Sequence, residues 1–248
     1  MIETVEILGV NVACLDRQNL LDIGLAWCFS TDRHWIFYAN AHTLNMAYVD
    51  IGYRKLLQCA DLVYTDGISL VWSSRLLGGC RLHKLTGADW IFELAKKASE
   101  LDIKVYFLGG RPGVAKRAAD NLCRYSPSLK VVGIADGFFQ SKSPLQVTKE
   151  IAAQAPNLVL VGMGAPDQEE WIAEHSQMLK SGVWWGVGAL FDFLSGDESR
   201  VPAWLGQLGM EWLWRLYQDP VGKWRRYIIG NPVFIYRVLS QYLNGRER

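Results

Sequence analysis

The stretch LVYTDGISLVWSSRLLGG, residues 62–79, contains the unit from which the fold is built. A short apolar run ends at Thr65-Asp66-Gly67, and a second apolar run with helical character begins near Ile68. A strand, a turn and a helix in this order are typical of an α/β protein, in which ligands bind at the carboxyl ends of parallel strands. Asp66 stands at that joint, where it either caps the following helix or belongs to a ligand site.

The same alternation continues on both sides of this stretch. The strand candidates are VEILGVNV, HWIFYAN, LVYTD, KVYFLGG, KVVGIADG, LVLVGMG and VWWGVGA, and VEILGVNV is predicted as the first strand. The clearest helices are TGADWIFELAKKASELD, PGVAKRAADNLCRYSP and DQEEWIAEHSQMLKSG. Continuous apolar strands that alternate with helices predict a Rossmann-like α/β fold, with a mostly parallel sheet covered by helices on both faces.

The alternation stops near Pro202. Beyond it, PAWLGQLGMEWLWRLYQDP, GKWRRYIIGNP and VFIYRVLSQYL predict two or three amphipathic helices separated by Asp-Pro and Asn-Pro breaks. Residues 200–248 contain 8 Lys or Arg and 3 Asp or Glu, although the whole chain of 248 residues has a net charge of only +1. We therefore predict an α/β core at residues 1–199 and a basic, aromatic-rich helical appendage at residues 200–248.

The composition excludes several classes of protein. A chain with 50% hydrophobic and 21% charged residues is globular, and its near-zero net charge does not favour nucleic acid as a partner. The N-terminus lacks the basic region of a signal peptide, and no apolar run is long enough to span a membrane. The five cysteines include no CxxC pair, so we expect free thiols in the cytoplasm rather than disulfides or a zinc site.

Two glycine-rich turns are candidates for binding an anion. In KVYFLGGRPGVAKRAADN, backbone N–H groups and the charge of Arg111 could meet a phosphate at a helix N-terminus. The glycines of this turn are Gly109, Gly110 and Gly113. LVLVGMGAPDQEEWIAEH repeats the construction and adds Gly164 and Gln168. The alternative is a tight turn without a ligand, because neither turn matches GxGxxG or the P-loop pattern.

Polar residues also follow the second strand candidate and precede a predicted helix. Tyr38, Asn40 and Thr43 lie at the end of HWIFYAN and just beyond it, and Asn40 is either a ligand for a sugar hydroxyl or a helix cap. Thr86 and Asp89 have the spacing of a capping box.

Motifs for metal or serine chemistry are absent from the sequence. It contains no Asp-x-Asp, no HExxH and no GxSxG, and its four histidines are scattered. We expect neither a metal nor a cofactor, so the charge of a diphosphate would fall to Arg, Lys and helix termini.

Eight segments taken in order carry a resemblance to a known family. They are NAHTLN, ADLVYTDGISLVW, LLGG, KLTGAD, FLGGRPGVA, GMGAPDQEEW, GVGALFDFLSG and GMEWLWRLYQDP. In this order they closely resemble the WecG/TagA/CpsF family of bacterial glycosyltransferases, from about residue 5 to about residue 240.

The resemblance implies a Rossmann-like core with a C-terminal helical appendage. It also implies inverting, metal-independent transfer of a sugar, N-acetylmannosamine-like or a hexose or uronic acid, from a UDP-sugar to a polyprenyl-diphosphate-linked acceptor. Such an enzyme would build teichoic acid or another cell-surface polysaccharide, at the inner face of the cell membrane against anionic lipid, and could form a homo-oligomer. The alternatives are a nucleotide-dependent oxidoreductase on the same kind of sheet and a non-catalytic membrane scaffold protein.

The resemblance also assigns roles to individual residues. Asp66 matches the proposed catalytic base. The substrate-binding residues are Tyr38, Asn40, Thr43, Lys84, Gly109, Gly110, Arg111, Gly113, Gly164, Gln168 and Asp192. The acceptor- or membrane-binding residues are Arg215, Lys223, Arg225, Arg226 and Arg237, together with the rings of Trp204, Trp212, Trp214, Tyr217, Trp224, Tyr227, Phe234 and Tyr236.

The chain departs from the family pattern at two of these positions. Tyr38 replaces a small hydroxyl residue and Lys84 replaces arginine, which alone among cations binds a diphosphate through two parallel hydrogen bonds.

Overall fold

The computed structural model describes residues 2–139, 143–199, 201–202, 205–206 and 209–246. The strands are β1 (Thr4–Ile7), β2 (Val10–Ala13), β3 (Arg33–Ala39), β4 (Leu62–Thr65), β5 (Lys104–Gly109), β6 (Lys130–Ala135), β7 (Leu158–Gly162) and β8 (Gly182–Gly186). The helices up to residue 195 are α1 (Arg17–Trp27), α2 (Ala41–Val49), α3 (Ile51–Cys59), α4 (Ile68–Leu77), α5 (Gly87–Glu100), α6 (Val114–Tyr125), α7 (Pro144–Gln154), α8 (Asp167–His175) and α9 (Leu190–Ser195). The C-terminal helices are α10 (Glu211–Gln218), α11 (Pro220–Trp224) and α12 (Gly230–Arg246), with a π-helical turn (Arg225–Ile229) between the last two and a 3₁₀ turn (Ser176–Met178) after α8.

The central sheet has the strand order β4-β3-β8-β7-β5-β6, and every neighbouring pair is parallel. Strands β4, β7 and β8 are buried along their whole length, as expected when helices cover both faces of a parallel sheet. The Rossmann-like fold predicted from the alternating apolar runs is confirmed.

Adjacent tryptophans on β8 show how one strand supports two cores. Trp185 belongs to the core beneath α1, α5, α6 and α9, where it stacks on Trp90 with ring centroids 4.7 Å apart. Trp184 points to the opposite face and packs in the core beneath α2, α3, α4, α7 and α8. Because successive side chains of a strand alternate between faces, the Trp-Trp pair contributes one ring to each layer.

A crevice opens between the carboxyl ends of β3 and β8. These strands are neighbours, but the helices that follow them lie on opposite faces of the sheet: Leu44 of α2 is in one core and Phe191 of α9 is in the other. Divergence of this kind leaves room for a ligand at the carboxyl edge of an open α/β sheet.

The N-terminal segment differs from the prediction of a single strand. Residues of VEILGVNV form the antiparallel hairpin β1–β2, in which Val5 pairs with Val12. Leu8 and Gly9 at the turn both have positive φ, 52° and 82°, as the tightest hairpin turns require. The buried apolar positions shift from Val5 and Ile7 to Val10 and Val12 across this turn, but Leu-Gly is not one of the usual hairpin turn pairs, so the prediction passed over it.

The expectation that all cysteines are free thiols is wrong for one pair. Cys14 and Cys80 form a disulfide, with Cα atoms 6.1 Å apart, that joins the end of the hairpin to the segment after α4. Cys28, Cys59 and Cys123 are free, and only Cys28 is fully buried. Because the paired residues are 66 positions apart in the sequence, no spacing rule could have revealed them.

The C-terminal helices pack on the same core. Phe234 and Val238 of α12 are buried against α2 and α4, and the side chain of Gln241 bonds to the backbone of Glu6 and Leu8 in the hairpin. The predicted break at Asn231-Pro232 is absent: α11, the π-helical turn and α12 follow one another without a gap, and Pro232 comes just after the π-helical turn, where the usual α-helical hydrogen bonds are already interrupted. The described residues include no helix that is both long and apolar enough to cross a membrane.

Of the aromatic residues that the prediction named in the appendage, Trp204 lies outside the described residues.

Candidate active site

Two connected cavities meet at the carboxyl ends of β3 and β4. The first is a cleft of about 490 Å³ that extends between α4 and α12, and the second, of about 110 Å³, lies between the N-terminus of α5 and the loop after β8. The walls that they share are formed by Asn40, Asp66, Glu211, Arg215 and Arg226. Core and C-terminal helices therefore build this site together.

Asp66 lies at the junction of these cavities. Ala39 and Thr65 are paired at the ends of β3 and β4, and the N–H of Asp66 donates to the carbonyl of Ala39 over 2.8 Å. The N-cap of α4 is Gly67, with φ 105°, and no side chain caps this helix. The alternative that Asp66 is a helix cap is thus wrong, and its carboxylate is directed to the cavities.

Asn40 caps α2 and contacts Asp66 with the same amide group. Its Oδ1 accepts hydrogen bonds from the N–H groups of His42 and Thr43, at 3.0 and 3.1 Å. The Thr43 hydroxyl completes a capping box and does not line either cavity. Because Oδ1 is held by the helix, Nδ2 faces the carboxylate of Asp66 and donates to it over 3.3 Å.

Cations of the C-terminal helices face the carboxylate. Burial disfavours the charge of Arg215, but the field of Asp66, with those of Tyr227 and two glutamates, outweighs it and raises the pKa of the guanidinium. Arg226 also lines both cavities, and its Nε is buried without a hydrogen-bond partner among the described residues. Burial and the charge of Arg226 lower the pKa of His42 to about 4, so His42 is neutral at neutral pH.

Tyr38 closes the floor of the second cavity. Its ring is buried against Gly188, where an added Cβ would lie 2.7 Å from the hydroxyl oxygen. Burial, with the charges of Glu169 and Asp66, raises the pKa of Tyr38, which is therefore a neutral hydroxyl.

Lys84 lines the first cavity, where its ammonium group forms an ion pair and hydrogen bond with Glu211 of α10. In this structure the charge of Lys84 is thus met by a carboxylate of the C-terminal helices.

The glycine-rich turns lie outside both cavities. The N–H of Gly110 donates to the carbonyl of Gly162 over 2.8 Å, so it is not free to bind an anion. A Cβ on Gly109 would lie 2.4 Å from that same carbonyl oxygen. These glycines allow β5 and β7 to approach each other closely, which favours the alternative of a tight turn. Gly113 and Gly164, both with φ +84°, lie in the same two turns and line neither cavity.

Arg111 and Asp192 form an exposed ionic cluster beside these turns. Arg111 is 65% exposed and lies 3.7 Å from Asp192 and 3.5 Å from Asp197. Burial raises the pKa of Asp192, and the neighbouring carboxylate of Glu198 adds to the effect. Neither Arg111 nor Asp192 lines the cavities around Asp66.

Gln168 is buried behind the second cavity with 0% exposure. Its Oε1 accepts a hydrogen bond of 2.8 Å from the N–H of Gly188, in the loop after β8. In this structure the side chain supports the wall of the cavity rather than reaching its interior.

Residues 5–248 match the Glycosyl transferase WecG/TagA/CpsF family. The chain belongs to this family. It is a glycosyltransferase, as the resemblance of the sequence motifs implied.

Two curated relatives carry the name N-acetylglucosaminyldiphosphoundecaprenol N-acetyl-β-D-mannosaminyltransferase. The protein of Staphylococcus aureus (strain MW2) is 30% identical over 243 residues, which cover 94% of this chain and 91% of the relative. That of Bacillus subtilis (strain 168) is 30% identical over 197 residues, or 79% of this chain and 75% of the relative.

The basic residues that the WecG/TagA/CpsF resemblance placed in the appendage fall into three groups. Arg215 and Arg226 line the cavities. Arg225 is exposed and stacks on Trp224, 5.4 Å from the ring centroid. Lys223 pairs with Glu198 over 2.8 Å, and Arg237 donates to the backbone and side-chain oxygens of Asn45, so both hold the helices on the core.

The aromatic residues of these helices divide in a similar way. Trp212 and Tyr227 line the first cavity, Trp214 lines the second, and Phe234 is buried. Tyr217, Trp224 and Tyr236 are exposed. Among the named rings that the structure describes, these three are placed to meet another surface.

Two parts of the glycosyltransferase site were missed by sequence reasoning. Thr86 is the N-cap of α5, but its hydroxyl makes no capping hydrogen bond, so the predicted capping box is wrong and the helix N-terminus opens on the second cavity. The second missed part is Glu211, which lines both cavities from α10 beside Trp212 and Trp214, two rings that the sequence had already indicated. The motif KLTGAD could have indicated that the N-terminus of α5 belongs to the site. The position of α10 depends on tertiary packing alone, so no sequence motif indicated it.

Proposed function

We propose that this glycosyltransferase moves a sugar from a UDP-sugar to a sugar linked to a polyprenyl diphosphate. The observation that carries the proposal is the place of Asp66, on the wall shared by a mostly apolar cleft and a smaller polar cavity. A lipid-linked acceptor and a charged donor need two such compartments that meet at one carboxylate.

The first cavity suits the acceptor. From Asp66 it runs outward between α4 and α12 past the apolar side chains of Trp72, Leu76, Ile235 and Leu239, all of them exposed. An isoprenoid chain gains free energy on burial against such side chains, in proportion to the apolar area removed from water.

The second cavity suits the donor. The N-terminus of the 14-residue helix α5 and the guanidinium groups of Arg215 and Arg226 border it. Helix N-termini and arginines are the usual protein ligands of phosphate oxygens. In the proposed reaction these groups, rather than a metal ion, balance the charge of the diphosphate.

Asp66 is positioned for general-base catalysis. Its carboxylate takes the proton of the acceptor hydroxyl as that oxygen forms a bond to the anomeric carbon of the donor. The bond from the anomeric carbon to the diphosphate breaks, and its electron pair leaves with UDP, whose negative charge Arg215 and Arg226 stabilise. Attack opposite to the leaving group inverts the anomeric configuration.

The relatives narrow the substrates. Because both act, by name, on N-acetylglucosaminyldiphosphoundecaprenol and transfer N-acetylmannosamine, we propose the same acceptor class and an N-acetylmannosamine-like or other hexose donor. The exposed Trp224, Arg225 and Tyr236 support peripheral attachment to an anionic membrane surface, where such an acceptor resides.

A panel of UDP-sugars with a short-chain polyprenyl-diphosphate N-acetylglucosamine acceptor tests the proposal. We expect one donor to yield a disaccharide product of inverted configuration by mass spectrometry and NMR, with the same yield in EDTA. Absence of transfer from every UDP-sugar, or dependence on a divalent cation, would contradict it.

A further inference from the structure

The neighbour of Gln168 on α8 has no role in the proposed chemistry, although it is an ionisable group in the core. Glu169 has 0% exposure, whereas Glu170, next to it on the same helix, is exposed. Glu169 Oε1 accepts a hydrogen bond of 2.7 Å from Nε2 of Gln168. A buried carboxyl is costly, so its presence here needs a reason.

This hydrogen bond determines which end of the Gln168 amide faces the active site. An amide has one oxygen and one nitrogen, and rotation by half a turn exchanges them. With Nε2 held by Glu169, Oε1 must face the loop after β8, where it accepts from the N–H of Gly188 over 2.8 Å. In the opposite orientation the amide nitrogen would face the Gly188 N–H, and two donors would repel each other.

The loop that receives this hydrogen bond forms one wall of the second cavity. Residues 187–190 line it, and Gly188, with φ +58°, presses against the hydroxyl of Tyr38. Gly186, at the end of β8, approaches Gln168 so closely that a Cβ there would lie 3.0 Å from Nε2. The space around the amide is therefore filled, and small shifts of Gln168 displace the wall.

We infer that Glu169 is a positioning residue for donor binding, which acts through the amide of Gln168 on the loop at residues 187–190. The inference rests on the proposed function, because it places the UDP-sugar against this loop. Glu169 does not touch substrate. It holds the Gln168 amide in the one orientation in which Oε1 accepts from Gly188.

A set of variants at residues 168 and 169 tests this chain of contacts, with the KM for the UDP-sugar and kcat as readouts. Glu169→Leu removes the acceptor, and we expect the donor KM to rise about tenfold, the effect of one lost hydrogen bond, with kcat changed less than about threefold. Glu169→Gln retains an acceptor oxygen and should restore the KM. Glu170→Leu, on the exposed side of α8, is the matched control and should leave the KM unchanged.

A double-mutant cycle separates action through Gln168 from an independent effect. Gln168→Leu alone should raise the donor KM as much as Glu169→Leu does, and the double variant no further. Additive effects of the two changes, or an unchanged KM in Glu169→Leu, would overturn the inference. Failure of the wild type to use any UDP-sugar would instead count against the proposed function.

An exchange variant of conserved volume keeps the test decisive if Glu169→Leu does not fold. Gln168→Glu with Glu169→Gln sets a carboxylate against the Gly188 N–H and an amide donor behind it, so both hydrogen bonds can form, with the one between residues 168 and 169 reversed in direction. We expect its donor KM to stay within about threefold of the wild-type value. A KM as high as that of Gln168→Leu would overturn the inference.

Discussion

Asn40 shows how a single amide links the fold to the chemistry. Its oxygen completes the N-terminus of α2, and its nitrogen donates to the Asp66 carboxylate. These protein contacts alone hold the Asn40 amide in place. Removal of this side chain would disturb both a helix cap and the candidate base, so a variant must separate the two roles.

Asn40→Asp makes that separation, because aspartate is as good a helix cap as asparagine. The second oxygen of the introduced carboxylate would face Asp66, and like charges disfavour ionisation of either group. We expect the acidic limb of the kcat profile to move to higher pH while the melting temperature changes little. A pH–rate series from about pH 5 to about pH 9 measures the shift, and a profile that coincides with the wild type would refute the contact.

The buried carboxyl of Glu169 also predicts how the stability of the folded protein depends on pH. Burial raises the pKa of Glu169 from 4.5 to about 8, and the charge of Glu170 adds to the increase. The hydrogen bond from Gln168, the backbone N–H of Glu169 and the nearby hydroxyl of Tyr53 act in the opposite direction and lower this pKa. Between these values the folded state holds a proton that the unfolded state has lost. Stability therefore falls as pH rises from about 4.5 to about 8, and this loss is absent below the lower value.

Glu169→Gln removes this dependence, since glutamine does not titrate. We expect the melting temperature of the variant, relative to wild type, to rise steadily over that pH interval and then level off. Glu170→Gln, on the exposed side of the helix, should show no such trend. If the melting temperatures of wild type and Glu169→Gln instead changed in parallel with pH across this interval, the buried carboxyl would be ionised in the folded state throughout it.

At the scale of elements, α12 is held by apolar contacts. Phe234 is 2% exposed, whereas Tyr236, two residues along, is 72% exposed. We expect Phe234→Ala to lower the free energy of unfolding by about 3–5 kcal/mol, the usual cost of a buried aromatic ring. Tyr236→Ala should change it by about 0.5 kcal/mol or less. Urea unfolding of both variants measures the difference, and equal effects would mean that α12 is not part of the core.

The exposed part of the C-terminal helices carries the membrane prediction. Arg225 and Trp224 project from the junction of α11 and the π-helical turn. A basic side chain near an anionic leaflet contributes about 1 kcal/mol, so Arg225→Glu should weaken binding to anionic vesicles by at least about fivefold. Arg124→Glu, the same charge change on α6, is the control. Equal vesicle binding by the wild type and Arg225→Glu would show that the surface at Trp224 and Arg225 does not bind the membrane.

The elements differ in how far the sequence could predict them. Strands β3 to β8 are continuous apolar runs that end in Gly, Ala or Thr, so their positions could be read directly. The Leu8-Gly9 turn was harder to predict, because Leu-Gly is not a usual hairpin turn pair and the one signal was the shift of apolar positions from Val5 and Ile7 to Val10 and Val12. Pro232 also misled the prediction, since proline usually ends a helix, whereas here the helical run continues through it directly after a π-helical turn.

The residues of the candidate site also differ in how far the sequence could predict their positions. Asn40 and Asp66 directly follow the paired ends of two adjacent parallel strands, Ala39 of β3 and Thr65 of β4. The pairing of these two strands is enough to bring Asn40 and Asp66 together. Arg215, Arg226 and Glu211 reach Asp66 only because α10 and the π-helical turn fold back over the carboxyl edge. The glycine-rich turns resembled an anion site, but their N–H and Cα positions are used for contact between strands.

At the scale of the whole molecule, the crevice between β3 and β8 and the C-terminal helices above it form one site. A core without those helices would lack both guanidinium groups that face Asp66. The helices alone would lack the carboxylate. The central claim is that Asp66, at the meeting point of these parts, removes the proton from the acceptor hydroxyl.

Asp66→Asn tests that claim most directly, because asparagine keeps the shape of the side chain and can still interact with Asn40. Turnover with a lipid-linked acceptor is measured beside UDP affinity by calorimetry and the melting temperature. We predict that affinity and melting temperature stay near their wild-type values while kcat falls by about 10² to 10⁴, the range for loss of a general base. A kcat close to that of the wild type would contradict the account.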